Sequence, residues 1–418
     1  MAAAVMAGNV LALGFTVVFA RKLGQTGYGS LSALISTYII LMVPGSAVQT
    51  TVAREVSAAT ASGDPTAGAG VRRWLERLVL VTVAVTAVSV LGRDVLAAII
   101  GVDDVPWAAA ATLPSGCLWL IVSIQRGALQ GFHRYRAVGA SWVAEQLGRF
   151  VFAFALVGPA DVTGAFYGTP LALAAVGLAM LVPLGRLLPR GPAAEHTLVR
   201  LLVRAAVPVA ALALVAWMQD GNVIIVKHIA TGRQAGSYAA AAVAAKAIMW
   251  VAVGLALFLV PEAARRARLR EHADGLLTRT LALIALGAVP MVLLYAVAGK
   301  PLLGAAFGHK FESGAGALPW LGMALSLLAC TYLAVQYHLA LHRARFVALL
   351  AVTAVIQPIV LVSIGAHLVS IAIGLAVVNA VLAVAMVALA FRVATHPEAV
   401  ELEPEDAGDA VGASETLV

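Results

Sequence analysis

Long apolar segments alternate with short polar connections along almost the whole chain. A membrane-spanning helix needs about 20 consecutive, mainly apolar residues, and twelve segments of that kind are present. The pattern therefore predicts an all-α, polytopic membrane protein with about twelve transmembrane helices. The predicted spans are residues 5–20, 31–53, 75–91, 107–129, 138–158, 164–184, 201–226, 238–260, 281–298, 317–341, 346–366 and 368–391.

The second half of the chain repeats features of the first half at a nearly constant distance. Gly27 and Gly236 lie in similar turns that follow an apolar run, and they are 209 positions apart. His133 and His342, each followed by an arginine, are separated by the same 209 positions, which is half of the 418 residues. A third match, in the connection after the third span of each half, has an offset of 207. Three matches in the same order indicate an internal repeat.

The repeat also predicts how the spans are grouped. Six spans per copy is an even number, so both copies enter the membrane in the same direction and form two six-helix lobes related by an axis along the membrane normal. The predicted boundaries are residues 1–187 for the first lobe, 188–200 for a cytoplasmic linker and 201–393 for the second lobe. Residues 394–418 are acidic, a composition typical of a disordered cytoplasmic tail.

Composition and charge support a membrane protein and predict its orientation. The chain is 61% hydrophobic and 12% charged, whereas soluble domains carry about 25% charged residues. The basic isoelectric point near 9.7 does not indicate nucleic-acid binding, because the Lys and Arg residues lie mainly between apolar segments. Of these 28 residues, nineteen fall in even-numbered connections or at the C-terminal end, and seven in odd-numbered connections. The positive-inside rule then predicts that both termini face the cytoplasm.

The sequence lacks the chemical motifs of common enzymes. It has no Gly-x-x-x-x-Gly-Lys-Ser/Thr loop, which excludes an ATP-driven pump in a single chain. Cys117 and Cys330 lie singly in apolar runs and are interpreted as buried thiols. His338 and His342 are four residues apart but have no third ligand, so no metal site is expected. We predict a transporter and not an enzyme, with no cofactor.

Three sequence elements resemble a known family. They are Arg21-x-Leu-Gly-x-x-x-Tyr28-Gly29, an aspartate (Asp220) ahead of Gly236-Ser237-Tyr238, and Phe307-Gly308 followed by Phe311. On twelve spans in two halves, they are similar to the polysaccharide-biosynthesis flippases, which form the oligosaccharide-lipid branch of the multidrug/oligosaccharidyl-lipid/polysaccharide (MOP) exporter superfamily. The resemblance covers nearly the whole chain except the acidic tail.

This resemblance implies a substrate, a mechanism and a location. The substrate is an undecaprenyl-pyrophosphate-linked oligosaccharide, which alternating access of the two lobes moves from the inner to the outer leaflet of the bacterial plasma membrane for cell-surface polysaccharide assembly. The implied partners are this lipid-linked saccharide, membrane lipids, a glycan polymerase and glycosyltransferases. Since no ATP site is present, transport is expected to use a proton or sodium gradient, or substrate supply alone.

Charged side chains inside the spans are the first candidates for a substrate site, because such residues are costly in a bilayer unless they are paired or face a cavity. Arg149 lies near the middle of the fifth span, and Glu145 precedes it by one turn, so the two can pair. Lys246, inside the eighth span, is expected to face water or an anion, or to be bound by Asp220 or Glu145 from another helix. Arg126 is expected to extend toward the membrane surface or, alternatively, to contact the ligand.

Asp220 is the candidate for ion coupling, with a proton or a sodium ion. In the sodium case Asn222 and Asn379 are expected to help, and the alternative for Asp220 is an ion pair with Lys227. Other polar residues in the spans are interpreted as interhelical hydrogen-bonding groups or as sugar contacts, namely Asn9, Gln49 and Gln336.

Two other functions need different features. A cation-coupled multidrug antiporter of the same fold needs a net acidic cavity, whereas the embedded charges here are Arg149, Lys246 and Arg126 against Glu145 and Asp220. A membrane-embedded glycan polymerase or ligase needs a large extracytoplasmic loop, and no odd-numbered connection is long enough. The charge balance therefore favours an anionic, pyrophosphate-bearing substrate.

Overall fold

The structure is a computed structural model that describes residues 2–63, 66–185, 187–188, 196–268, 274–341 and 343–395. Most of the predicted linker and nearly all of the predicted acidic tail lie outside these residues. All regular structure in the described segments is helical. The α-helices are α1 (Ala2–Ser62), α2 (Thr66–Leu91), α3 (Arg93–Ile100), α4 (Pro106–Ala110), α5 (Thr112–Gly131), α6 (Tyr135–Gly185), α7 (His196–Ile229), α8 (Gly232–Ala245), α9 (Ala247–Arg268), α10 (Asp274–Phe307), α11 (Leu318–Ala340), α12 (Phe346–Ile364) and α13 (Leu368–Thr395), with a 3-10 helix at His309–Gly314.

Ten helical segments in the described chain are long and apolar enough to cross a bilayer. Two of them, Ala7–Ser62 and Tyr135–Gly185, contain 56 and 51 residues, more than twice the length of about 20 residues that one crossing requires. Each is bent where the backbone leaves helical geometry, at Gly24 (φ 68°) and at Asp161 (φ 47°). Each therefore supplies two crossings. The prediction of an all-α protein with about twelve spans is confirmed.

The two halves share several helix interruptions at equivalent places. After the third span, the short helix α3 follows a break at Gly92, and after the ninth span α10 bends at Ala298 before it continues to Phe307. Short turns separate the fourth span from the fifth, and the tenth from the eleventh, in equivalent places. These shared interruptions are what a duplicated six-span unit requires.

The helix ends add one feature that periodicity does not predict. The eighth span is interrupted at Lys246, between α8 and α9, where the amide of Lys246 donates to the carbonyl of Val243 three residues earlier. Such a tightened turn bends a helix and turns its side chains in new directions. A candidate charged residue thus lies at a break in its span.

The buried apolar residues form two clusters, one for each half of the chain. One contains residues between 15 and 188, and the other is formed almost entirely by residues between 211 and 390. Two residues of the first half, Ala20 and Tyr28, belong to the second cluster. The ring of Tyr28 lies 5.8 Å from that of Phe311 and 6.1 Å from that of Phe307. The turn after the first span therefore inserts into the second lobe.

Candidate functional site

A cavity of about 90 Å³ lies in the first lobe, between the second, fourth, fifth and sixth spans. It contains two of the predicted residues, Glu145 and Arg149, together with three aromatic residues that sequence reasoning missed. An aromatic residue in an apolar run gives no signal that distinguishes a cavity from a packed core. The lining consists of Ile35, Tyr38, Ile39, Met42, Trp119, Trp142, Glu145, Gln146, Arg149 and Thr169.

Glu145 forms its ion pair with Arg126 of the fourth span and not with Arg149. The distance from Arg126 Nη2 to Glu145 Oε2 is 2.7 Å, and the Arg126 side chain is fully buried. Its guanidinium also donates to the hydroxyl and carbonyl oxygens of Ser141 and lies 4.2 Å from the ring centroid of Trp142. The predicted pairing of Glu145 with Arg149 is therefore wrong. The prediction that Arg126 extends to the membrane surface is also wrong, because α5 turns this residue toward α6 inside the lobe.

Arg149 lies beside the same cavity but has different contacts. Its guanidinium carbon is 4.1 Å from the centre of the Phe15 ring, on the first span. Its Nε is buried without a hydrogen-bond partner, and no ion pair to Arg149 occurs among the described residues. A cation over an aromatic face gains some electrostatic stabilisation. That contact leaves the hydrogen-bonding capacity of the guanidinium largely unused.

The second charged site lies where the two lobes meet. Lys246 Nζ forms an ion pair with Asp220, whose side chain is fully buried. Ser36 of the second span donates a hydrogen bond of 3.3 Å to the Asp220 carboxylate from the other lobe, and Gln219 donates one of 3.1 Å. Of the alternatives for Lys246, the structure has the pair with Asp220. Among the described residues, Lys227 forms no ion pair with Asp220.

The amides proposed to assist Asp220 are bonded elsewhere. Asn222 donates to the carbonyl of Gln219 and accepts from the Tyr238 hydroxyl at 3.2 Å. Asn379 donates to the carbonyl of Ala324 at 3.0 Å and so joins α13 to α11. These contacts have the form of interhelical hydrogen bonds. Three other candidates do not line the cavity: Asn9 is exposed, Gln49 is half-buried, and Gln336 donates to the hydroxyl of Tyr332.

Hydrogen bonds join the two lobes at the ends of the spans that carry the repeated turns, here called the outer ends. The Gln25 amide nitrogen donates to the Ser237 hydroxyl at 2.7 Å and to the Lys310 carbonyl at 2.6 Å. Arg21 donates to the carbonyl of Ala306 at 3.0 Å, near the C-terminus of α10. Sequence reasoning did not select Gln25. Its repeat equivalent, Gln234, lies 209 positions later and bonds within its own helix cap.

Glycines allow the backbones of the two repeated turns to touch. A Cβ on Gly236 would lie 1.9 Å from the carbonyl oxygen of Gln25, and one on Gly29 would lie 3.0 Å from the amide nitrogen of Gly236. On another part of this interface, His228 Nε2 is 2.9 Å from the carbonyl oxygen of Ala98. The structure therefore has the lobes closed against each other at their outer ends.

The charges of the two sites are unequally balanced. Arg126 offsets Glu145, and Lys246 offsets Asp220, so Arg149 is the embedded cation that remains uncompensated among the described residues. Outside the spans, a separate, partly exposed cluster follows the eighth span. There, hydrogen bonds from Arg265 and Arg266 lower the pKa of Glu262 to about 2. That carboxylate is committed to its neighbours and does not alter the balance at the cavity.

Comparison with known families fits this architecture. The family model for polysaccharide biosynthesis proteins matches residues 1–265, which is more than half of the chain. The chain belongs to the polysaccharide biosynthesis protein family. A search of curated protein sequences finds no significant match.

Several solved structures of membrane transporters have the same fold as this chain. An inward-facing multidrug resistance transporter of the MATE family superposes with a TM-score of 0.79 at 12% identity, covering 94% of this chain and 96% of the other. The lipid II flippase MurJ, in an inward closed conformation, superposes with a TM-score of 0.75 at 10% identity, covering 94% of this chain and 87% of the other. A MOP superfamily transporter from Pyrococcus furiosus, described as having a binding pocket of reversed polarity, superposes with a TM-score of 0.66 at 12% identity, covering 94% of each chain. This member of the polysaccharide biosynthesis protein family thus has the fold of these membrane transporters.

Proposed function

We propose that the protein is a flippase that moves an undecaprenyl-pyrophosphate-linked oligosaccharide from the inner to the outer leaflet, for assembly of cell-surface polysaccharide. The observation that carries this proposal is the unpaired Arg149 beside a cavity in the first lobe. An embedded cation without a counter-charge is costly unless its site receives an anion. A pyrophosphate supplies that anion and forms strong, charge-assisted hydrogen bonds with a guanidinium.

The same charge pattern argues against the multidrug antiporter. A cationic drug would need a carboxylate that is free to pair with it. Both embedded carboxylates already have a cationic partner, Glu145 in Arg126 and Asp220 in Lys246. A second cation entering either site would have to displace a buried ammonium or guanidinium group, which is unfavourable in a low-dielectric medium.

The contacts between the lobes support loading of substrate from the cytoplasmic side. The bonds of Arg21 and Gln25 close the outer ends of the lobes in this state. Release to the outer leaflet then requires these bonds to break while the opposite ends approach, which is alternating access by movement of one repeat against the other. The proposal includes a bacterial plasma membrane with both termini cytoplasmic, glycosyltransferases that supply the substrate and a polymerase that consumes the product.

Asp220 remains the proposed ion-coupling residue, with one constraint from its partner. A proton or sodium ion can bind there only if it displaces Lys246, and the freed ammonium is then available to the pyrophosphate as a second cation. Ion and substrate would therefore bind cooperatively and move in the same direction. Flipping toward the outer leaflet should be faster when the ion is more concentrated on the loading side, and in an Asp220→Asn variant it should not respond to the gradient. Slower flipping with the ion more concentrated on the loading side would show that ion and substrate compete for the site.

Flipping of fluorescent undecaprenyl-pyrophosphate-linked sugar in reconstituted vesicles tests the proposal. A hydrogen bond to a charged group contributes about 1.5–3 kcal/mol, so Arg149→Gln should slow flipping about tenfold or more. Arg149→Lys should keep part of the rate, since it keeps the charge, and Lys246→Gln should also lose activity. Arg345→Gln is the matched control, because this arginine is exposed in a connection outside the spans. Wild-type rates in both Arg149→Gln and Lys246→Gln, at normal protein abundance, would refute the proposed site.

A further inference from the structure

The cavity beside Arg149 contains hydrogen-bonding groups that the protein itself leaves unused. Among the described residues, the buried Tyr38 hydroxyl has no hydrogen-bond partner, and Tyr38 as a whole is 4% exposed. Arg149 Nε is in the same condition. Thr169, from the sixth span, lines the cavity, and no hydrogen bond within the described residues engages its hydroxyl. The second and fifth spans therefore each contribute a buried polar atom without a partner to a single small space, which Thr169 also lines.

Buried polar groups without a hydrogen-bond partner require an explanation. Buried polar atoms in folded proteins nearly always have a partner, because a buried group without one loses the hydrogen bonds that water would have supplied. The other described hydroxyl groups around the second charged site follow that rule, since Ser36 donates to Asp220 and Tyr238 donates to Asn222. At the cavity that holds the uncompensated cation, the described residues include three exceptions, which are the Tyr38 hydroxyl, Trp119 Nε1 and Arg149 Nε.

The chemistry of the cavity selects an oxyanion. A guanidinium can only donate hydrogen bonds, and the hydroxyls of Tyr38 and Thr169 can donate as well. The one carboxylate in the lining, Glu145, already accepts from Arg126 at 2.7 Å, so its charge is offset. A cation would meet Arg149 and find no free carboxylate. An oxyanion would meet a positive charge and several donors.

The cavity is large enough for a small anion. Its volume of about 90 Å³ is several times the roughly 10–15 Å³ that one water molecule needs on the same measure. That space admits a phosphoryl group.

We propose that this cavity binds one phosphoryl group of the transported lipid, held by the Tyr38 hydroxyl, the Thr169 hydroxyl and the Arg149 guanidinium. The inference rests on the proposed function and deepens it, because it makes Tyr38 a residue that recognises the phosphate of the carrier.

Tyr38→Phe is the sharpest test, because it removes only the hydroxyl oxygen. Binding of inorganic pyrophosphate and of undecaprenyl diphosphate to the purified protein should weaken about tenfold, the loss expected for one hydrogen bond to a charged group. The melting temperature of the ligand-free protein should stay equal or rise, because the hydroxyl has no partner to lose. A hydroxyl with a purely structural role would give the reverse, a lower melting temperature and unchanged binding, and that result would overturn the proposal.

Tyr332→Phe is the matched control, since its hydroxyl accepts a hydrogen bond from Gln336 in the second lobe, away from the cavity. It should bind both ligands as the wild type does. Weakened binding of the lipid and of inorganic pyrophosphate in Tyr38→Phe shows a site for the phosphoryl group itself. Weakening for the lipid alone shows that the polyprenyl chain must first dock, and it also supports the proposal.

The failure of this inference differs from the failure of the proposed function. If Arg149→Gln loses binding and flipping while Tyr38→Phe and Thr169→Val keep both, the flippase stands and the phosphoryl cavity is refuted. If sodium ions stabilise the wild-type protein in a Tyr38-dependent way and pyrophosphate does not, the cavity is a cation site and the inference is again refuted. If the wild type flips no lipid at all, the proposed function itself fails.

Discussion

At the scale of single residues, Arg126 and Glu145 form a buried ion pair, whereas Arg149 has no ion-pair partner among the described residues. Both side chains are buried, and removing one partner of a buried ion pair leaves an uncompensated charge that costs about 3–5 kcal/mol. Glu145→Gln should therefore lower the melting temperature of the protein in detergent markedly, whereas Arg149→Gln should not. Thermal unfolding of the two variants measures the difference.

A double variant completes this prediction. Replacing both partners with apolar residues of similar size, as in Arg126→Met with Glu145→Leu, removes both charges and should recover much of the lost stability. If Glu145→Gln and Arg149→Gln are equally destabilised, the assignment of Arg126 as the partner of Glu145 is wrong.

At the scale of elements, the packing of the two repeated turns decides whether the outer ends of the lobes can close. A Cβ on Gly236 would overlap the carbonyl oxygen of Gln25, at 1.9 Å, so Gly236→Ala should hold the outer ends apart. Cysteines placed at Gln25 and Ser237, whose side chains are hydrogen-bonded, should crosslink in an otherwise wild-type background and much less with Gly236→Ala. Gly14→Ala is the control, since its Cβ meets nothing within 4 Å. Equal crosslinking in both backgrounds would show that these turns do not limit closure.

At the scale of the whole molecule, the orientation in the membrane follows from the charge of the connections. Single cysteines at the exposed residues Lys22 and Arg233 should react with an impermeant thiol reagent in intact cells, and cysteines at the exposed residues Arg134 and Arg345 should react only after lysis. The background should carry Cys117→Ala and Cys330→Ala. Labelling at only one residue of either pair would contradict the parallel relation of the two lobes.

The sequence alone was enough to predict the fold class and the spans. Lipid imposes a strong and local constraint, because each crossing must be apolar for about 20 residues and must satisfy its backbone hydrogen bonds within the helix. Even the short division between the eleventh and twelfth spans, predicted near residue 367, is present, and the chain turns there at Gly365 with φ of 82°. The repeat offset likewise pointed to the turns at Gly27 and Gly236, which meet in the structure.

Only the tertiary structure decided which charges are partners and which groups share a cavity. The spans are apolar nearly all round, so their sequences do not encode how each helix is rotated about its axis, and small residues at the contacts determine that rotation. Glu145 was therefore matched to Arg149 on its own helix, although the packing of α5 against α6 brings Arg126 to it. Tyr38 gave no signal for the same reason: a hydroxyl among apolar residues gains a role only when other helices place Arg149 and Thr169 beside it.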